Sequence, residues 1–334
     1  MRARLVFSGM RPLMGLFRTV LGVLVDSQRF QDCLSTADPM PAETAGLAKS
    51  FMRSRVRKLQ SVLAATDDGH MMDAVLWLGP ELHFCAAVAE RHPDEIADLP
   101  ARLREMLARN RGPATELTAV TAGDGPQWVS SLIASMNRDI GAVDKSGAIS
   151  SAGRAQADEC LRTVRRAQSI LTAAWPGAAV EVDLLIRSIV PVVGHAYNSG
   201  CMFDYFGAVL VSTRTLNSDE AAVEFLLHET GHTVHHLMSA FTKYVENGDE
   251  LVVHPLRPDP RPVSGTLHAA FSLYRMSEGL SRLADNGYGS SEQEERFVMH
   301  RDNLRHTLDV LGESAQWTPA GEKLFSNLSA RAYA

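Results

Sequence analysis

His228-Glu229-Thr230-Gly231-His232 lies within a strongly helical stretch, residues 219 to 244. Two imidazoles four residues apart on a helix sit about 40° apart around the axis and one turn apart along it. One metal ion can then take a nitrogen from each. Val223, Leu226, Leu227, Val234, Leu237, Met238 and Phe241 form an apolar stripe on nearly the opposite face. In an ordinary amphipathic helix the histidines would therefore face water. A metal site requires the fold to lay another segment over this face and to supply a third ligand. Asn217 with Glu220 three residues on fits a capping box at the start of the helix. His235 and His236 enrich the same helix in imidazoles.

The segment that follows has the means to do both. Pro255-Leu256-Arg257-Pro258-Asp259-Pro260-Arg261-Pro262 is barred from helix and is expected to run extended. A second helix is expected from near Val263 toward Ala284, with His268, Ser272 and Arg275 on one face. His268 is the candidate third ligand, and Arg275 a cation able to hold an anion beside the metal. Glu278 is the alternative third ligand, giving a His, His, Glu zinc set. The metzincin extension is excluded, because His235 and Met238 stand where it needs Gly and His.

Two chemistries fit. In a zinc hydrolase, the ion keeps one position for water and Glu229 takes the proton. In an oxygenase, Fe(II) on three protein ligands leaves positions for a 2-oxo acid and dioxygen, and a cation holds the distal carboxylate. The five-residue motif does not separate them. A partner protein that has kept the fold without the chemistry is a third reading.

The remaining sequence sets the frame. The 334 residues carry a net charge of −6, so nucleic acid is not an implied partner. Cys33, Cys85, Cys160 and Cys201 are scattered with no C-x-x-C pair, which suits a reducing cytoplasm. The apolar run from Pro12 to Val25 is interrupted by Arg18, lacks a small-residue cleavage site and is too short for a membrane span. It reads as an amphipathic core helix. Lys49, Arg53, Arg55, Arg57 and Lys58 read as a solvated helix face, and Pro100 opens a helix through Arg109. The expected organisation is a helical N-terminal region over 1–140, a Gly/Ser/Ala-rich connector over 141–154, and a metal-binding domain over 155–334. In the last, a helix over Ala155–Trp175 is followed by a strand over Val180–Ile186, read from alternation, and a second strand over Gly207–Val211. The fold class is mainly α with a small β-sheet.

The stretch from Gly207-Ala208-Val209-Leu210-Val211 through Glu224-x-x-x-His228-Glu229-x-x-His232 to Arg257-Pro258-Asp259-Pro260-Arg261-Pro262-x-Ser264-Gly265-x-x-His268 resembles the H-E-x-x-H-type peptide β-hydroxylases. These are iron- and 2-oxoglutarate-dependent enzymes of bacterial peptide natural-product pathways. The resemblance covers roughly Val180 to Leu283, with a weaker echo at Leu324-Phe325 after Thr318-Pro319-Ala320-Gly321. It implies Fe(II) on His228, His232 and His268, and 2-oxoglutarate beside Arg261 or Arg275 with Ser264. Glu229 then becomes a residue behind the ligands or facing substrate. The implied substrate is a ribosomally made precursor peptide, hydroxylated at a side-chain β-carbon. The N-terminal half is assigned to a leader peptide or a partner modification enzyme.

Overall fold

The computed structural model describes residues 28–51, 117–123, 125–143, 148–194, 197–253, 256 and 259–334. The expected helices at 12–25 and 100–109, and the basic face beyond residue 51, lie outside the described residues. Helices α1 (Gln28–Cys33), α2 (41–51), α3 (Gln127–Val143), α4 (Arg154–Ala174), α5 (Pro176–Leu185), α6 (Asp219–Phe241), α7 (Val263–Leu283), α8 (Ser291–Ser314) and α9 (Pro319–Tyr333) dominate. The strands are β1 (Thr118–Ala119), β2 (Ser150–Ser151), β3 (Ser188–Val193), β4 (Ser199–Cys201), β5 (Ala208–Ser212), β6 (Leu251–Val252) and β7 (Arg261–Pro262). They form a five-stranded and a two-stranded sheet, so the fold is α+β and mainly helical, as expected from the sequence. Among the described residues, no helix is long and apolar enough to cross a membrane.

The chain divides into two compact units built from interleaved segments. Of the described residues, the first takes those in 48–51, 117–166 and 183–222; the second takes those in 28–47, 167–182 and 223–334. In the first unit, the sheet runs β1-β3-β5-β4, with β3 and β5 parallel and β2 antiparallel on β3. Trp128, Val129, Leu132 and Ile133 of α3 bury against Val190, Val192, Ala208 and Leu210 of the sheet. Pro191 sits in the middle strand, which ordinarily disfavours proline. The carbonyls of Ile189 and Pro191 accept from Val120 and Ala152, so the missing N–H of Pro191 faces the side where β1 has ended and β2 begins. The one ladder bond forgone is the return bond to Ala152, whose amide donates to the Pro191 carbonyl.

The strand expected at 180–186 is a helix, α5. Its buried positions, Ala178, Ala179, Glu181, Val182 and Leu185, share one helical face, and Val180 is 52% exposed. Apolar alternation over seven residues is compatible with either period, and Pro176 at the first helical position settles it locally. The partner of β5 is instead the continuous apolar run of β3, buried on both faces as parallel strands are.

In the second unit, α6 and α7 approach closely at two glycines. A Cβ at Gly279 would lie 2.0 Å from Leu227 Cδ1, and one at Gly231 3.3 Å from Ser272 Cα. Val223, Leu226, Leu227, Val234, Leu237 and Met238 of α6 are all buried, so the apolar stripe is core. Ser218 rather than Asn217 caps α6, accepting from the Ala221 amide at 3.1 Å. α7 leads through a turn with Gly287 at φ 81°, a conformation that favours glycine, into α8, capped by Ser290. Thr318 caps α9, which packs Gly321 against the Tyr244 carbonyl.

Candidate metal centre

Helix periodicity brings His228 and His232 to one side of α6, and their Nε2 atoms lie 3.0 Å apart with rings nearly perpendicular (80°). His268, one and a half turns into α7, reaches the same place. Its ring centroid is 4.3 Å from that of His232 and 4.3 Å from that of His236. The side chain of His228 is 34% exposed, and His232, His236 and His268 are half-buried, so the cluster is open to solvent on one side.

Behind the rings the site is closed. Ser272 Oγ lies 2.8 Å from His232 Nδ1, and Ser272 is 1% exposed. His235 Nδ1 lies 3.0 Å from His268 Nδ1, and His235 packs against Tyr244 and Phe271. Burial lowers His235 to about 3, with His236 adding to it, and lowers His236 to about 4. His268 is pushed well below the usual imidazole range by burial and then by the surrounding histidines. These rings are therefore neutral at pH 7, the form in which imidazole ligates metal.

The ring geometry tests the fit. At metal–nitrogen distances of about 2.1 Å, two ligand nitrogens lie roughly 3.0 Å apart at an angle of about 90° and about 3.4 Å apart at a tetrahedral angle. The 3.0 Å separation of His228 and His232 matches adjacent positions of an octahedral ion. His268 matches in distance but not in direction. Its plane is 7° from that of His232, face to face, so the in-plane lone pairs run side by side and do not converge. Accordingly, among the described residues no three His, Cys, Asp or Glu side chains form a finished metal-binding group. The pair fits an ion; the ring of His268 lies beside the pair without converging on it.

The other candidates are placed as follows. Glu229 is fully buried, with Oε1 3.8 Å from His228 Nε2. Ser264 donates to the Gly248 carbonyl at 2.8 Å, fastening the start of α7. Arg261 is half-buried on β7, opposite Val252, and its Nε has no hydrogen-bond partner among the described residues. Glu278 accepts from Arg282 at 2.8 Å. Glu224 is tied to α8 by Arg296 at 3.0 Å and His300 at 3.1 Å.

Arg275 occupies a site that sequence reasoning missed. It is 1% exposed, and its Nη1 donates to Glu181 Oε2 at 2.7 Å. Glu181 is fully buried and also accepts from Thr44 Oγ1 at 2.6 Å and from the Met40 amide at 3.0 Å. The guanidinium carbon lies 5.5 Å from the Phe271 ring and 5.8 Å from that of Trp175, where the π faces attract the cation. Glu181 belonged to a stretch read as a strand, which put it on the polar side; the helical period puts it inside.

Cys33 lies in the field of this network. Burial, then Glu181 and Glu43, push its thiol up to about 12. At neutral pH this leaves roughly a thousandfold less thiolate than an ordinary cysteine carries. Alkylation of the folded protein at pH 8 is expected to label the half-buried Cys201 and spare Cys33 until denaturant is added. Peptide mapping showing equal labelling of both would refute this.

Compared with known proteins, the chain matches no family model, and no curated protein matches it.

Proposed function

We propose that this protein is an Fe(II)- and 2-oxoglutarate-dependent hydroxylase of the H-E-x-x-H peptide type, acting on a β-carbon in a ribosomally made precursor peptide. The observation that supports the reading is the meeting of His228 and His232 Nε2, 3.0 Å apart, with His268 brought beside them from α7. His228 and His232 would hold the iron, with His268 as third ligand. Iron with its 2-oxo acid co-substrate supplies the dioxygen chemistry of such enzymes. The chain's own residues orient and shield. Ser272 and His235 hold the inner nitrogens of two rings, and His228 faces the solvent from which a peptide would come.

Arg261 is the cation we assign to the distal carboxylate of 2-oxoglutarate. Arg275, the other candidate, is fully enclosed and committed to Glu181. Glu229 Oε1, 3.8 Å from His228 Nε2, is the observation that keeps a zinc peptidase as the second reading. A cytoplasmic setting, with a partner modification enzyme, belongs to the same proposal.

Anaerobic loading with iron is expected to give about one equivalent per chain, and added 2-oxoglutarate a visible charge-transfer band. Air and a substrate peptide should then yield succinate and a product heavier by one oxygen atom. Exclusive binding of zinc, with no band and no succinate, would overturn the proposal. Replacing His232 with alanine should abolish stoichiometric iron while leaving the circular dichroism unchanged.

A further inference from the structure

We propose that Ser272 is a positioning residue for His232, and that Gly231, inside the H-E-x-x-H motif, is what allows it to reach. The inference rests on the metal-centre reading above and assigns two residues that the ligand set does not contain.

The argument begins with the imidazole. A neutral ring that ligates through Nε2 carries its remaining proton on Nδ1. A buried Nδ1–H without an acceptor costs about 1–3 kcal/mol, so the ligating form needs a partner behind the ring. Ser272 Oγ lies 2.8 Å from His232 Nδ1 and is buried. A hydroxyl can accept from Nδ1–H as readily as it donates to a bare Nδ1. It therefore serves the ring in either tautomer and holds the plane fixed through the change. Partners of this kind orient metal-bound histidines and raise their basicity.

The approach of α7 makes that contact possible. A Cβ at position 231 would lie 3.2 Å from Ser272 Oγ, 3.3 Å from Ser272 Cα and 3.4 Å from Arg275 Cγ. The first of these is the positioning atom, and the second is backbone, which yields only if the helix moves. A side chain at 231 therefore requires Ser272, the atom group that holds His232, to give by a few tenths of an ångström. Arg275, one turn beyond Ser272, fixes α7 from the other end of the contact through its ion pair with Glu181. The variable positions of the motif are thus not equivalent: Gly231 faces α7, and its lack of a side chain sets the distance.

The test is a competition titration of cobalt(II) or zinc(II) against a chromophoric chelator, using the full-length wild type, Ser272→Ala and Gly231→Ala. Both variants are expected to bind about 10- to 100-fold more weakly, with unchanged circular dichroism. In the zinc-loaded wild type, the Nδ1–H resonance of His232 should be slow to exchange with water, and Ser272→Ala should lose it. A merely structural role would lower the melting temperature and leave both readouts alone. If Ser272→Ala does not fold, Gly231→Ala and the wild-type resonance decide. Wild-type binding with unweakened variants and no protected Nδ1–H would overturn this inference and leave the metal reading standing. A wild type that binds no metal would overturn the reading itself, and this inference with it.

Discussion

Glu181→Gln is expected to destabilise the second unit by about 3–5 kcal/mol, the usual cost of removing one partner of an enclosed ion pair. The substitution keeps the shape and an oxygen for Thr44 and the Met40 amide. What it removes is the negative charge opposite Arg275, whose Nε and Nη2 already lack hydrogen-bond partners among the described residues. The guanidinium cannot shed its proton, so it stays charged inside with only the faces of Phe271 and Trp175 beside it. Urea denaturation at pH 7, followed by circular dichroism, measures the loss. The double variant Glu181→Gln/Arg275→Met is expected to recover most of it, because an apolar replacement of a closed pair is often neutral. A single-variant loss below about 1 kcal/mol would show that water reaches the pair. Because Ser272 is one turn from Arg275, Glu181→Gln should also weaken metal binding.

Removal of residues 1–47 is expected to have a still larger effect, leaving the second unit unable to hold its native packing. The segment from Leu34 to Thr44 contributes partners to four separate parts of that unit. The Leu34 carbonyl accepts from Tyr244 Oη at 2.8 Å, and the Ser35 carbonyl accepts from Asn327. Asp38 accepts from Tyr274 and, at 3.2 Å, from Arg331, while Thr44 and Met40 serve Glu181. The buried hydroxyls of Tyr244 and Tyr274 and the buried carboxylate of Glu181 would lose partners at roughly 1–3 kcal/mol each, a large part of the stability of a typical domain. The expected product is insoluble, or compact with exposed apolar surface that binds a hydrophobic dye. A cooperative urea transition in the truncated protein at the full-length midpoint would refute the prediction.

Much of the second unit was legible in the sequence because its signals are local. The apolar stripe of α6 and the start of α7 at Val263 follow from helical period and proline chemistry, and those residues fall where the rules place them. That His268 and Ser272 share a face with Arg275 was also a matter of spacing. Three things were not legible. Alternation at Val180–Ile186 suggested a strand, because seven residues carry too few turns for the helical period to declare itself. The pairing of Arg275 with Glu181 joins residues 94 positions apart, and no local pattern announces it. The turn of the His268 ring is set by His235 and by stacking, which depend on packing in three dimensions.

The tie between Asp38 and Arg331 spans 293 positions, and that between Ser35 and Asn327 spans 292. During synthesis the early segment is made long before its docking helix leaves the ribosome. The second unit therefore cannot finish folding until the fifteen residues of α9 have been made, and its early apolar residues must wait, solvated or chaperoned, for them. Loops of this length close slowly but add little entropy beyond shorter ones. Delay, more than instability, is the burden this topology places on the cell.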